Sequence, residues 1–296
     1  MILLDGKSLS QTLKAELKIA VDARKAAHQK TPHLAAILVG ADPASEAYVR
    51  SKVRACEQIG FESTLIRLPE STSESDLLAQ IAALNNSPDI DGFIVQLPLP
   101  PAINENNIIL AIDPKKDVDG FHPINFGRMA QGMPAYLPAT PYGILQILER
   151  YNIPTDGQHC VVVGRSNIVG TPISILLSRK SKVGNCTVTL AHSRTRNLAE
   201  LCRSADILIA AIGIPHFITA DMVREGAVVI DVGINRIADP NTEKGSRLVG
   251  DVDFDAVALK SSYITPVPGG VGLLTVVALL QNTLKAAEAK DEGMSR

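Results

Sequence analysis

Cys160-Val-Val-Val-Gly164-Arg-Ser-Asn-Ile-Val-Gly170-Thr171-Pro172 reads as a strand, a tight turn and the start of a helix. A short β-branched run ends at Gly164, which lets the chain turn at the strand end. Gly170 allows close approach near the next helix, with Thr171 as its cap and Pro172 in its first turn. Backbone N–H groups at such a helix start attract anions, and a pyrophosphate suits this turn. The spacing is not G-x-G-x-x-G: Arg165 and Ser166 occupy the turn, so the segment alone also fits an ordinary strand–helix connection. The surrounding sequence favours a nucleotide. Further strands at 187–191, 207–212 and 228–232 are separated by helical stretches. Such alternation implies parallel strands joined by crossovers.

The second strand of this series sharpens the expectation. A site selective for NAD places an acidic residue about 20 positions on, to hold the ribose hydroxyls. Here the strand runs into His192-Ser193-Arg194-Thr195, with no acid. Ser193 and Arg194 can donate to a 2′-phosphate, so NADP is the expected cofactor. Asp231-Val-Gly-Ile234-Asn follows the fourth strand and should line the crevice near the nicotinamide end.

Toward the N-terminus lies a second α/β series. Strands are expected at 33–39, 63–68 and 92–96, and helices at 45–60, 73–84 and 104–112. Ser8 with Gln11 resembles a capping box ahead of a first helix. From 121 to 139 the pattern lapses into Pro, Gly, Asn and Met, which marks a linker. Thr140-Pro141 then opens a helix, with Thr140 as its cap. The last segment, from about Leu273 to Ala287, is apolar over much of its surface and should pack back on the first domain. The fold class is therefore two α/β domains, the second a Rossmann-type NADP-binding domain. The expected division is 1–139 plus 273–296 for the catalytic domain and 140–272 for the dinucleotide domain.

Bulk composition agrees. The 296 residues carry a net charge of −2, with 46% hydrophobic and 20% charged, which supports a sizeable core and argues against disorder and against a nucleic-acid surface. Cys56, Cys160, Cys186 and Cys202 form no C-x-x-C pair and read as reduced structural thiols. The histidines show no metal-ligand spacing, so no metal is expected. The start of the chain lacks the signature of a secretory leader, and no apolar run is long enough to span a bilayer. A cytoplasmic protein is expected.

Four residues carry candidate chemistry. Tyr48 and Lys52 stand four apart on one helix and share a face. Gln96 ends an apolar strand, and Asp119 lies in Lys116-Asp-Val-Asp-Gly120. Three of them have a plainer alternative: a solvated lysine for Lys52, a buried amide capping a strand for Gln96, an Asp-Gly turn for Asp119. A lysine acts as acid or base near neutral pH only where burial or neighbours lower its pKa.

Taken together, Tyr48-Val-Arg-Ser-Lys52, Val95-Gln-Leu-Pro-Leu-Pro100, Asp117-Val-Asp-Gly-Phe-His-Pro123, Gly164-Arg-Ser-Asn-Ile-Val-Gly170, Asp231-Val-Gly-Ile-Asn235 and Ile264-Thr-Pro-Val-Pro-Gly-Gly-Val-Gly272 resemble the bifunctional methylenetetrahydrofolate dehydrogenase/methenyltetrahydrofolate cyclohydrolase family. The resemblance covers nearly the whole chain. It implies a catalytic set of Lys52, Gln96, Tyr48 and Asp119: Lys52 moving protons in the cyclohydrolase step, Gln96 orienting it, Tyr48 packing on the folate, and Asp119 binding the pterin edge. It implies that Gly164, Arg165, Ser166, Ser193 and Ile234 bind NADP, beside Gly170 and Arg194, which the turn and the strand end already point to. Gly269, Gly270 and Gly272, with Pro268 and Leu273, would shape the folate wall. It also implies tetrahydrofolate substrates and a homodimer. One departure is notable: the family usually continues its last glycine motif with Pro-Met-Thr, whereas this chain has Leu273-Leu274-Thr275.

Overall fold

The computed structural model describes residues 1–240, 242 and 245–294, with side chains through residue 291. The described residues form two compact units: 11–139 with 276–294, and 1–10 with those of 140–275. The first carries a three-stranded sheet and the second a six-stranded one.

The three-stranded unit is built on β2 (His33–Val39), β3 (Glu62–Leu68) and β4 (Gly92–Val95), in the order β3-β2-β4 with all pairings parallel. Parallel neighbours need crossovers, and helices supply them. One is α2 (Pro43–Ile59), the other α3 (Glu74–Asn86). The Asp42 carboxylate accepts the Ser45 N–H at 2.7 Å and Pro43 occupies the first turn, so α2 starts before the expected Ser45. It ends at Gly60, whose φ of +83° admits the left-handed cap. Ile37, Phe93, Leu77 and Ile81 form the core between sheet and α3. The first helix, α1 (Gly6–Ala26), starts on a different cap from the one expected: Asp5, not Ser8, accepts the N–H groups of Lys7 and Ser8. Beyond β4 come α4 (Glu105–Ala111) and α5 (Pro123–Ala130). The expected 121–139 linker therefore contains a helix. His122 Nδ1 accepts the Ile124 N–H, Pro123 pre-sets the first turn, and Asn125 and Met129 bury its inner face.

The C-terminal helix α10 (Val271–Met294) belongs to this unit from Val276 onward. Arg24 of α1 pairs with its Asp291 at 2.7 Å. Asp91, with no side-chain exposure, gathers Lys30 at 2.7 Å, Lys290 at 3.0 Å and the His33 N–H at 2.9 Å. Asp91→Ala leaves the His33 N–H without its acceptor and removes the counter-charge of both lysines, although Lys30 keeps the Asp89 carbonyl at 2.6 Å and Lys290 those of Pro88 and Ile90 at 2.9 Å. Both lysines keep about a third of their side chains in solvent and can turn to water. The expected loss is therefore about 2 kcal/mol, below that of a fully sealed pair. Urea titration should show a lower midpoint at unchanged slope.

The six-stranded unit orders β1 (Ile2–Leu3), β11 (Tyr263–Ile264), β8 (Val228–Asp231), β7 (Ile207–Ala210), β5 (His159–Val163) and β6 (Thr187–Ala191) in one parallel sheet. Val161, Val163, Ala210 and Val229 lie in the core on one face. Helices α6 (Ala139–Arg150), α7 (Gly170–Ser178), α8 (Leu198–Arg203) and α9 (Phe254–Ala258) accompany it, and β9 (Asn235–Ala238) pairs antiparallel with β10 (Ser246–Val249).

Three expectations need correction here. Residues 1–10 belong to this unit, because Ile2 and Leu3 pair with Tyr263 and Ile264 at the sheet edge. Residues 273–275 belong here too, ahead of the changeover within α10. The division expected at 241, 243, 244, 295 and 296 lies outside the described residues. Helix starts also differ: α6 begins at Ala139, and α7 at Gly170 with no side-chain cap. The Thr171 hydroxyl donates to the Arg165 carbonyl at 3.2 Å instead of capping.

Candidate active site

Lys52 projects from the inner face of α2, in line with Val49 and Cys56, and is only 8% exposed. Its Nζ donates to Gln96 Oε1 at 3.1 Å. Gln96 stands one residue past β4, and its N–H donates to the Ile37 carbonyl. Its Nε2 donates to the Leu97 carbonyl at 2.6 Å, which turns the amide oxygen toward the amine. An amide partner fixes an ammonium's direction without neutralising it. Burial pushes the Lys52 pKa down, and the field of Asp119 opposes that shift. The Asp119 carboxyl is pushed up by burial and held back by Lys52. The two groups thus sense each other, and burial moves both toward their neutral forms. Tyr48 lies one turn before Lys52 on α2, is 40% exposed, and has its phenol pKa raised by burial. The structure therefore brings Lys52, Gln96 and Asp119 together and leaves the Tyr48 ring half in solvent on the same helix face.

Sequence reasoning passed over Asp117. It is buried and accepts the N–H groups of Phe121 (3.2 Å) and His122 (2.8 Å) and the Asn125 amide (2.9 Å). Burial pushes its pKa up to about 6 against the pull of those donors. It fixes the loop that carries Asp119. The only sequence signal was an Asp two residues from another, with an Asn eight further on.

In the six-stranded unit, Gly164 follows β5 with φ of +121°. A Cβ there, or at Gly170, would overlap backbone: Ala211 O for the first, Gly164 O for the second. Arg165 and Ser166 are exposed in the turn, and Ser166 Oγ accepts the Val169 N–H at 3.2 Å. After β6, Ser193 and Arg194 are exposed. The Arg194 N–H bonds to His192 Nδ1, and its guanidinium has no partner among the described residues. Ile234, past β8, is also exposed. These positions share the carboxyl edge of the sheet, where dinucleotides bind in open α/β folds.

A buried carboxylate pair that sequence reasoning missed holds that edge. Asp231 accepts the N–H groups of Gly233, Asp251 and Val252 at 2.9 to 3.0 Å. Asp251 accepts those of Ile212 (2.6 Å) and Gly213 (2.9 Å) and the Asn235 amide (2.8 Å). Burial pushes Asp231 up to about 7. The loops after β7 and β8, Ile234 included, are thereby tied to the hairpin.

Pro268, Gly269, Gly270, Gly272 and Leu273 also lie in this unit. The Val267–Pro268 bond is cis, and Gly269 has φ of +108°. Gly270 packs so closely on Gly6 that a Cβ at Gly6 would overlap its carbonyl. A Cβ at Gly272 would lie 3.0 Å from Ile234 Cδ1. Leu273 is partly exposed, and Leu274 is buried on Gly143.

Comparison with known proteins fits both units. Residues 4–119 match the catalytic domain of tetrahydrofolate dehydrogenase/cyclohydrolase, and residues 138–291 match its NAD(P)-binding domain. The chain belongs to the tetrahydrofolate dehydrogenase/cyclohydrolase family. Within this family, the Bifunctional protein FolD of Cytophaga hutchinsonii is 61% identical over 290 residues, covering 98% of this chain and 100% of that protein. A crystal structure of the bifunctional methylenetetrahydrofolate dehydrogenase/cyclohydrolase from Campylobacter jejuni is 46% identical with a TM-score of 0.91, covering 98% of this chain and 99% of that one. The Trypanosoma brucei methylenetetrahydrofolate dehydrogenase-cyclohydrolase, solved with NADP cofactor and an inhibitor, is 34% identical with a TM-score of 0.93, covering 98% of each chain. Among the described residues no helix is long and apolar enough to cross a membrane.

Proposed function

We propose that this enzyme oxidises 5,10-methylenetetrahydrofolate to 5,10-methenyltetrahydrofolate with NADP, then hydrolyses that product to 10-formyltetrahydrofolate. The carrying observation is the buried Lys52 amine, hydrogen-bonded to Gln96 and within the field of Asp119. The glycine turn at Gly164 and Gly170, where a Cβ has no room, fits a pyrophosphate approaching backbone. NADP, when bound, supplies the hydride acceptor. Gly164, Arg165, Ser166 and Gly170 would hold it at the turn, Ser193 and Arg194 at its 2′-phosphate, and Ile234 near the nicotinamide.

The substrate's own nitrogen lone pairs stabilise the cation that remains when hydride departs. The oxidation therefore asks the chain for positioning more than for proton transfer. Tyr48 offers a ring face for the folate's aromatic portion, and Asp119 a carboxylate for the amino-pyrimidine edge. Pro268, Gly269, Gly270, Gly272 and Leu273 supply the wall. Hydrolysis is different. Water adds to the methenyl carbon, and a proton must pass from that oxygen to a ring nitrogen before the ring opens. Lys52, its pKa lowered by burial, can take and return that proton, and Gln96 aims it.

The test is a spectrophotometric assay with methylenetetrahydrofolate and each nicotinamide cofactor, followed by acid trapping of the methenyl product. Formation of methenyl without formyl product would reduce the function to a dehydrogenase alone. Tight NADP binding with no turnover would mean a nucleotide-binding protein. A homodimer in the cytoplasm accompanies this proposal, and sedimentation of the purified protein checks the first part.

Arg194→Ala should weaken NADP by about tenfold or more, the loss of one charge-assisted hydrogen bond, while NAD affinity stays put. Fluorescence titration with both cofactors measures this. Equal losses would remove Arg194 from the phosphate site.

A further inference from the structure

We propose that Asn282, in the middle of the C-terminal helix, is a positioning residue that sets the place of Asp119. The proposal rests on the folate activity given above.

Asn282 stands out in its setting. Its helix reads Val276-Val-Ala-Leu-Leu-Gln-Asn282-Thr-Leu, and Asn is a poor choice for a buried helical interior. The side chain is 3% exposed. Its Nδ2 donates twice, to the Val118 carbonyl at 2.8 Å and to the Leu137 carbonyl at 2.9 Å. Val118 O belongs to the peptide group immediately before Asp119. The residue immediately after, Gly120, has φ of +73°, and a Cβ there would lie 2.7 Å from the Leu137 carbonyl carbon and Pro138 nitrogen. One amide thus ties the segment entering Asp119 to the segment against which its exit is pressed.

Other contacts remove the remaining freedom. The Val118 side chain is buried against Gly92, leaving no room for a Cβ at the start of β4, the strand that leads to Gln96. Asp117 fixes the turn after Gly120 by accepting the Phe121 and His122 N–H groups. Within that frame Asn282 supplies the side-chain donor that reaches the Val118 carbonyl from the C-terminal helix. Removing its amide leaves the buried Val118 carbonyl and the partly buried Leu137 carbonyl without that donor, and the segment should shift to find another. Asp119 moves with it. The Gln96 amide and the Asp119 carboxylate act on the Lys52 amine, and Tyr48 and Cys56 stand one turn before and after it on the same helix. Asp119 is the charged neighbour that opposes the burial of the Lys52 amine.

The experiment compares Asn282→Leu, which keeps bulk and loses both donors, with Leu279→Ala. Leu279 is buried in the same helix, and no hydrogen bond joins its side chain to residues 118 or 137. Both should lower the melting temperature. Asn282→Leu alone should raise the KM for methylenetetrahydrofolate about tenfold, equivalent to about 1.4 kcal/mol, with kcat for oxidation little changed. It should also move the Lys52 limb of the cyclohydrolase pH profile to lower pH, because Lys52 loses part of its anionic neighbour. The NADP dissociation constant should not change. Asn282→Ser keeps one donor, should fall between, and carries the comparison if the Leu variant does not fold. An unchanged KM and pH profile in the Asn282 variants, or an equal KM rise in Leu279→Ala, overturns the proposal. Absence of folate turnover in the unmodified protein would instead reject the activity itself.

Discussion

Lys52→Met is expected to abolish the cyclohydrolase while leaving NADP-dependent oxidation measurable. The two half-reactions ask for different help. Oxidation needs the substrate held against the hydride acceptor, and Met fills nearly the same space as the lysine stem. Hydrolysis needs a group that exchanges protons, and positioned acid–base catalysis contributes about 10²–10⁴-fold. The cyclohydrolase rate should fall by about that factor, with acid-trapped methenyl product accumulating in the oxidation assay. Stability should move the other way. Burial lowers the Lys52 pKa in the folded state, so between that value and the ordinary lysine value the unfolded chain binds more protons. Folding then gains as pH rises through that window, and below it the buried ammonium costs stability. Met removes this cost, so at neutral pH its melting temperature should be equal or higher. A stable variant that keeps both activities equally would take Lys52 out of the chemistry.

How much of this was legible before folding depends on whether the determinant is local. The strand–turn–helix at 160–172 declares itself because β-branched runs and glycine punctuation are properties of neighbouring residues. So does the Gly60 cap of α2. The Tyr48 and Lys52 pair could be placed on one helix face from spacing alone. Burial of the Lys52 amine could not, since it depends on β4 delivering Gln96 beside α2. The N-terminal residues were misplaced for a related reason. Ile2 and Leu3 carry too short a pattern to name their partner, and Tyr263 and Ile264 supply it from far along the chain. Helix α5 hid behind Pro, Gly and Asn because its stability comes from Asn125 and Met129 packing inward rather than from propensity. The Asp117 loop and the Asp231–Asp251 pair escaped notice because a carboxylate that collects backbone N–H groups has no composition of its own. Only the fold says which donors arrive.

Gly164→Ala should remove the cofactor site, and the reason is steric. At φ of +121° an L-residue is strained, at about 1–2 kcal/mol. The new methyl would also overlap the Ala211 carbonyl oxygen on the neighbouring strand's extension. The backbone must then shift at the turn proposed to receive the pyrophosphate, and an overlap that costs up to about 3 kcal/mol on binding is about a hundredfold in affinity. Conformational strain can be separated from the lost site with Gly157→Ala in the same unit. Gly157 also has a positive φ, +71°, but a Cβ there meets nothing within 4 Å. It should lose about 1 kcal/mol in urea titration and bind NADP normally. Gly164→Ala should lose NADP binding in fluorescence titration even under conditions where circular dichroism shows it folded. If the two variants bind NADP equally well, β5 and α7 meet in an ordinary strand–helix connection, and the pyrophosphate must be held elsewhere on the sheet edge.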